Sequence, residues 1–362
     1  MSDVGASSAF FPSRPAFLVD GEEVAGLSEG LLSLSITEST DGLFCCEACF
    51  GNWGATADGV GFLYFDRDVL EFGKSLIVEM GDADTRAPVF EGRIMALQGR
   101  FPRQRPPELQ VLAEDRFQDL RMTRRTRTFE EINDRDVFER IAGEHGLRAE
   151  IDVDGPDYRI LAQLNQSDLA FLRERAQAID AEVWVEGDGL FAQARGRRRA
   201  AAEVTLTYGR GLREIEVTAD LANQRTAVSV SGWDVSAKEG ISETVVEDAI
   251  SGELKGGTSG AAVLSAVLGE RPERIVHSVP LTGSEAVAVA EANYRALARR
   301  FLSGEGVAEG DARIKVATHV VLGGLGPLFD GSYYVTRVCH TFDGSNGFLS
   351  RMSIERSGIG ES

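Results

Sequence analysis

Apolar residues recur at every second position through most of the first 125 residues. Pro15–Val24, Leu31–Thr40, Leu43–Trp53, Ser75–Gly81, Val89–Leu97 and Glu108–Asp115 each alternate over strand length between Gly, Asp and Pro clusters. Helical spacing is almost absent there, so the segment predicts a β-barrel or sandwich. From about Thr128 the period changes to that of a helix. Val137, Phe138 and Ile141 share one side behind an Asn133 or Asp134 N-cap, with His145 in the last turn and Gly146 after it. Leu169, Leu172, Ala176 and Ile179 then step 3-4-3 behind a Ser167 or Asn165 cap, and a hairpin follows: Ala181–Val185, an Glu-Gly-Asp-Gly turn and Leu190–Ala194. Residues 128–200 are thus a small α/β insert. Strands resume at Glu203–Gly209 and 213–235. One further helix spans 284–303, with Thr282 and Glu285 at capping-box spacing, Val287, Ala290, Tyr294, Leu297 and Phe301 on one face, and Gly304 and Gly306 ending it. Residues 236–275 hold the run SGELKGGTSGAA, which reads as a mobile loop or exposed segment.

One feature occurs twice. VFEGRIMALQGRF (Val89–Phe101) and LFDGSYYVTRVCHTF (Leu328–Phe342) both run apolar-Phe-acid-Gly, then a β-rich segment, then a closing Phe. Each is followed by a strand ending in an acid and a base, Leu109–Arg116 and Leu349–Arg356. Upstream, Ser75–Gly81 matches Arg313–His319 as the strand entering the hairpin. The pattern predicts an internal duplication of a β-barrel. Gly92 and Gly331 then hold equivalent positions, and Val at either impairs folding or ring assembly.

At 362 residues the chain is too long for one ordinary core, and its 43% hydrophobic and 26% charged composition is that of a globular protein. No apolar run approaches a membrane-spanning length, and the first residues lack a signal-peptide pattern. The net charge of −19 argues against sequence-independent nucleic-acid binding. Two basic runs, Arg121–Arg127 and Arg195–Arg199, read either as salt-bridge partners or solvated turns, or as a docking patch for an acidic neighbour.

Chemistry is sparse. Cys46 and Cys49 form a C-x-x-C with no second pair or nearby His, and alternation puts Phe44, Cys46, Ala48 and Phe50 on one strand face as small buried hydrophobes. His145, His277, His319 and His340 lie in no metal-binding spacing, although His319 and His340 stand where a C-terminal hairpin could oppose them. There is no nucleophile elbow or phosphate loop, and Gly323–Pro327 is a turn. Asn165–Ser167 fits a glycosylation sequon by coincidence. No catalytic, metal or cofactor residue is nominated, and no enzyme is expected.

Several ordered motifs do carry a resemblance. LNQSDLAFLRERAQAIDAEVWVEGDGLF (Leu164–Phe191), TFEEINDRDVFERIAGEHGL, the Gly232-Trp233-Asp234 strand and FDGSYYVTRVCHTFDG resemble the phage late-control-D baseplate hub family, which includes the VgrG-like hub region of contractile injection systems. The resemblance spans about Gly73 to Arg356. It implies a mainly β hub fold with two similar, tail-tube-like barrels, at 1–127 and 201–362, around the α/β insert. It further implies a homotrimeric ring of pseudo-sixfold symmetry joining a hexameric inner tube protein to a trimeric spike, among other baseplate components. DNA or effector cargo would pass through its lumen. Because the chain stops after SIERSGIGES, the spike is expected on a separate polypeptide. Assembly is expected in the bacterial cytoplasm, with incorporation into a virion tail or injection particle and no membrane insertion. A tail-tip enzyme cleaving cell wall, or a receptor-binding tail module, is the alternative; activity on peptidoglycan or saturable attachment to cells would distinguish either.

Overall fold

A computed structural model describes residues 14–57, 59–81, 86–200, 203–234, 237–276 and 280–360. The fold is mainly β. Six strands close into a barrel: Val204–Tyr208, Gly211–Ala219, Leu302–Glu309, Gly347–Arg356, Gly331–Asp343 and His319–Gly323, each hydrogen-bonded to the next and the last to the first. Val204, Leu206, Leu212, Leu302, Val320, Leu322, Tyr333, Val335, Met352 and Ile354 fill it. This is the alternation of the sequence expressed as one buried face per strand.

The strands of the first half continue the same sheet in an open array: Ala16–Val19, Ser75–Met80, Ala87–Arg100, Glu108–Glu114, Cys45–Gly51 and Leu31–Ser39, with the small Glu22–Glu23 strand at the far edge. Leu31–Ser39 then pairs with Gly331–Asp343 of the barrel. Phe17, Leu34, Ile36, Cys46, Ala48, Phe50, Val78, Phe90, Ile94 and Val111 form this array's core. The cysteine segment therefore behaves as alternation dictates, with Cys46 and Ala48 fully buried and all four cysteines free.

Four antiparallel pairings recur in the two halves, in the same chain order and register. Arg93↔Glu114 and Tyr334↔Glu355 open corresponding hairpins, whose bulges fall between Ile94/Ala96 and Val335/Arg337. Ser75↔Arg93 corresponds to His319↔Tyr334, and Cys45↔Glu114 to Ser303↔Glu355. A second bulge also coincides, between Leu31/Ser33 and Leu212/Glu214. The halves differ at one end. Ala16–Val19 runs antiparallel to Ser75–Met80, whereas Val204–Tyr208 runs parallel to His319–Gly323.

This register corrects the alignment read from the Phe-acid-Gly motif. Phe90, Glu91 and Gly92 lie inside a continuous 14-residue strand, whereas Phe329 and Asp330 precede the strand that Gly331 begins. Matched bulges pair Gly92 with Tyr333 and Phe90 with Gly331, so the two glycines are not equivalent. Arg313–Thr318 is turn and irregular backbone, and the entering strand is His319–Gly323. The motif misled because Phe, acid and Gly suit both a strand interior and a turn, whereas bulges are fixed by the ladder itself.

The insert packs helices Asp134–Glu144 and Asp168–Ala178 against a ribbon of Arg124–Ile132 with Tyr158–Ser167 and a three-stranded sheet, Arg148–Asp152, Gly189–Ala194 and Ala181–Glu186. Asn133 and Ser167 cap the helices by accepting from the backbone N–H of Asp136 and Ala170. Phe129 and Phe171 stack in its core at 5.7 Å. The 236–275 stretch, expected as a loop, instead holds strands Glu239–Val245 and Pro272–Ile275 and helix Gly260–Leu268. With helix Gly283–Arg299 they bury Val228, Val230, Ile275, Ala286, Ala290 and Tyr294 in a separate small core. Within the SGELKGGTSGAA run, Gly257 lies close to the Ile359 backbone and Gly260 to Gln224 and Phe301, where a side chain would not fit, whereas Gly252 and Gly256 are exposed. The helix stops at Arg299, before the expected 303, because Phe301 and Leu302 enter the barrel core. Val287 is exposed, and Gly304 and Gly306 lie within the following strand.

Candidate functional site

The junction between open array and barrel is the feature that positions everything else. Leu31–Ser39 and Gly331–Asp343 run antiparallel from Arg337↔Ser39 to Asp343↔Ser33. Phe342 lies opposite Leu34 and His340 opposite Ile36, and all four are buried. Phe342 leaves the barrel and completes the core of the open array. Apolar burial on this scale, about 25 cal/mol per Å² of area removed from water, makes the junction a continuation of the core rather than a hinge.

Ion pairs fasten the insert to this frame. Arg195 reaches both Glu355 on the barrel and Glu182 on the insert. Glu182 also accepts from Arg198 Nη1 at 2.7 Å and from the Tyr334 hydroxyl at 2.7 Å. Arg198 stacks 3.8 Å over the Trp184 ring. Arg299 on the long helix spans Asp180 (Nη2–Oδ2 2.8 Å) and Glu253 (Nη2–Oε1 2.6 Å). Within the insert, buried Asp168 accepts from Arg127 at 3.0 Å and Gln163 at 2.9 Å, and pairs with His145 Nε2 at 2.8 Å. Both basic runs are therefore engaged within the chain: Arg121 with Glu114, Arg125 and Arg127 with Asp168, and Arg197 with Asp152 and Asp154. Guanidinium geometry favours such two-carboxylate bridging, so the arginines serve as internal struts.

The histidines are kept apart. His145 caps its helix, and His277 lies outside the described residues. His319 packs edge-on against Tyr334 at 5.6 Å, while His340 bonds Ser350 Oγ through Nδ1 at 3.0 Å. They are on different strands facing different neighbours, so they do not oppose each other across a hairpin. Burial holds both imidazoles neutral, down to about 4. Among the described residues, no group of three or more His, Cys, Asp or Glu side chains is placed to hold a metal ion. No helix among them is long and apolar enough to cross a membrane. Asn165 has a left-handed backbone (φ 52°) in the ribbon just before the Ser167 cap.

A cleft of about 1690 Å³ opens between the open array, the insert and the barrel, lined by Glu38, Asp115, Trp184, Arg198, Arg313 and Lys315 among others. Two of its acids, buried Asp115 and half-buried Glu38, are invisible to motif reading. Asp115 accepts from the N–H groups of Phe44 and Phe117, yet burial pushes it up to about 8. Glu38 is pushed up to about 7 by burial, against the attraction of Arg198 and Lys315. A carboxyl raised above its unfolded value of 4.5 favours folding at low pH and loses that contribution as pH rises through about 7. Glu38→Gln should therefore lose less stability than wild type between about pH 5 and about pH 8, by on the order of 1 kcal/mol, in urea titrations. Equal losses in the two proteins would show that Glu38 titrates normally. On the acid side, neutral His319 and His340 oppose this trend, because the unfolded chain takes up their protons below about 6.5.

The same architecture occurs in known proteins. The 43 kDa tail protein of prophage MuSo2 from Shewanella oneidensis superposes with a TM-score of 0.68 at 13% identity, covering 95% of this chain and 98% of that one. A tail protein from Neisseria meningitidis MC58 gives 0.66 at 12%, covering 96% and 97%. The E. coli c3393 protein, a type VI secretion system component similar in structure to T4 phage tail proteins gp27 and gp5, gives 0.57 at 10%, covering 92% and 76%. At these identities the likeness establishes the fold, which is shared with phage tail proteins and a type VI secretion system component. No functionally curated protein matches the sequence. A model of the Alg8 N-terminal domain matches residues 19–343, and the chain belongs to that family, built on the phage-tail fold.

Proposed function

We propose that this protein is a structural baseplate hub: three copies form a ring of pseudo-sixfold symmetry that joins a hexameric tail tube to a trimeric spike in a contractile tail or injection particle. The observation that supports this reading is the shared register of the two six-strand arrays. Their four pairings and two bulges coincide, so each chain offers two similar faces, and three chains offer six. A ring of that kind reconciles a sixfold neighbour on one side with a threefold neighbour on the other. We take the open array as the second barrel-like copy of an ancient duplication, and 1–127, 128–200 and 201–362 as the units. The tail and type VI secretion proteins that share the fold support the setting. Salt-bridged arginines strut the insert against the barrel and the long helix, and the role assigned is architectural rather than enzymatic.

The purified chain is expected to form a species of three times the 39.1 kDa chain mass by light scattering, or, with its tube and spike neighbours, a complex holding three copies of the chain. Negative-stain images should show a ring with a central channel. A monomer under all these conditions overturns the reading.

A further inference from the structure

The in-chain junction has a vacant counterpart. Gly331–Asp343 pairs with Gly347–Arg356 on one side. Its other side is shared, His319–Gly323 taking the first residues and Leu31–Ser39 the rest. In the open array, Ala87–Arg100 pairs with Glu108–Glu114 on one side, and Ser75–Met80 takes its first residues on the other. Beyond the bulge, no strand among the described residues pairs with the second side of Ala96–Arg100. The strand corresponding to Leu31–Ser39 is Gly211–Ala219. It pairs with Leu302–Glu309 on one side and touches Val204–Tyr208 only at Gly211 and Leu212 on the other. The second edge of Glu214–Ala219 is likewise unpaired among the described residues. Two open strand edges invite a partner strand.

We infer that these two edges pair between copies of the chain, Leu97–Phe101 of one subunit running antiparallel to Ile215–Ala219 of the next, in the register of the in-chain junction. This deepens the hub reading and rests on it. The matched bulges fix the correspondence. Phe342↔Leu34 in the chain becomes Phe101↔Ile215 between chains, Thr341↔Ser35 becomes Arg100↔Glu216, and Cys339↔Thr37 becomes Gln98↔Thr218.

The side chains suit that register. Phe342 is 4% exposed because it enters the core of the neighbouring array, whereas Phe101 is 67% exposed. Docked, Phe101 would meet Ile215 and Val217, which are only partly buried against the barrel core. Phe101 already lies in an aromatic cluster with Phe65 at 5.6 Å and Phe62 at 6.4 Å, which holds its ring at the edge. Arg100 opposite Glu216 is an attractive cross-strand pair, where the in-chain junction has Thr341 opposite Ser35. The edge Glu214–Ala219 carries two glutamates and the loop after Arg100 carries Arg103 and Arg105, so the edges are opposite in charge. Because the inter-chain junction copies the in-chain one, the arrays alternate head to tail, and a ring of three chains would hold three junctions of each kind.

The test measures the mass of full-length wild type and edge variants by light scattering across concentration. Phe101→Asp, Arg100→Glu and Glu216→Arg should each weaken trimer formation at least about tenfold with unchanged circular dichroism, all three side chains being exposed. The swap Arg100→Glu with Glu216→Arg should recover most of the loss. A Gln98→Cys with Thr218→Cys variant should give disulfide-linked trimers on non-reducing gels. Wild-type trimers that persist in every single variant, with no crosslink, overturn this interface and leave the hub reading standing. A wild type that stays monomeric, alone and with its tube and spike neighbours, overturns both.

Discussion

Gly92→Val is expected to leave little folded protein, with destabilisation on the order of 3 kcal/mol or more measured as a drop in urea midpoint. Gly92 sits opposite Leu76, one residue before the strand passes from one ladder to the next at Arg93. A Cβ there would overlap the Glu114 carbonyl oxygen and lie 2.7 Å from its carbon, and 2.5 Å from the Phe90 ring. Both obstacles are fixed, one as backbone of the adjacent strand and the other as a buried core aromatic. Alanine should already produce most of the loss, because the clash begins at Cβ. Gly331 differs. Its φ of 140° suits glycine, but the obstacle is the Arg356 guanidinium, a flexible tip bonded to the Asp330 and Gly360 carbonyls. Gly331→Val should cost on the order of 1–3 kcal/mol, mainly from the backbone conformation. Equal losses at the two glycines would restore the equivalence that the sequence motif implied.

Asp134→Ala is the second large effect, at about 3–5 kcal/mol in the same measurement. Asp134 is fully buried at the start of its helix. It accepts from Arg175 Nε at 2.7 Å and from the Tyr158 hydroxyl at 2.9 Å. Arg175 also lies 4.6 Å over the Tyr158 ring. Removing the carboxylate strands a guanidinium and a hydroxyl in the insert core, and the uncompensated charge dominates the cost. Asp134→Leu combined with Arg175→Met should recover much of it, since replacing both partners removes the desolvation penalty as well as the attraction. Tyr158→Phe, which deletes one neutral donor, should cost only about 1 kcal/mol. If the double variant is no better than Asp134→Ala, the pair contributes packing rather than charge compensation.

These two sites illustrate how far the sequence could be read. In the sequence Asp134 reads only as a possible cap; Asn133 holds that role, and the carboxylate joins the two insert helices through Arg175 and reaches the ribbon through Tyr158. The ribbon strand Tyr158–Ser167 escaped notice because its polar residues do not alternate cleanly, and its partner, Arg124–Ile132, begins inside a run read as basic surface. Arginine runs look solvated in one dimension. Their carboxylates, Glu182, Asp168 and Glu355, are distant in sequence. Helix Asp168–Ala178 is legible to within two residues at its start, since a Ser167 or Asn165 cap and the 3-4-3 apolar steps are local signals, and the structure selects Ser167. The 236–275 region is not legible, because Gly and Ser report small volume and cannot say whether another element fills it.

By itself the sequence determined the alternation that makes the protein mainly β, the two insert helices with their starts narrowed to Asn133 or Asp134 and to Asn165 or Ser167, the long helix start at Thr282 and the burial of the cysteine strand. These follow from period and capping, which act over a few residues. Tertiary structure alone decided that the barrel closes, that Leu31–Ser39 docks on Gly331–Asp343, and which residues correspond between the halves. Strand pairing joins residues some 300 positions apart, and its register is set by bulges and core fit rather than by shared letters. The closing Phe101 and Phe342 show both sides of this. The sequence marked them as counterparts, and only the ladder shows one buried in a neighbouring array and the other exposed at an open edge.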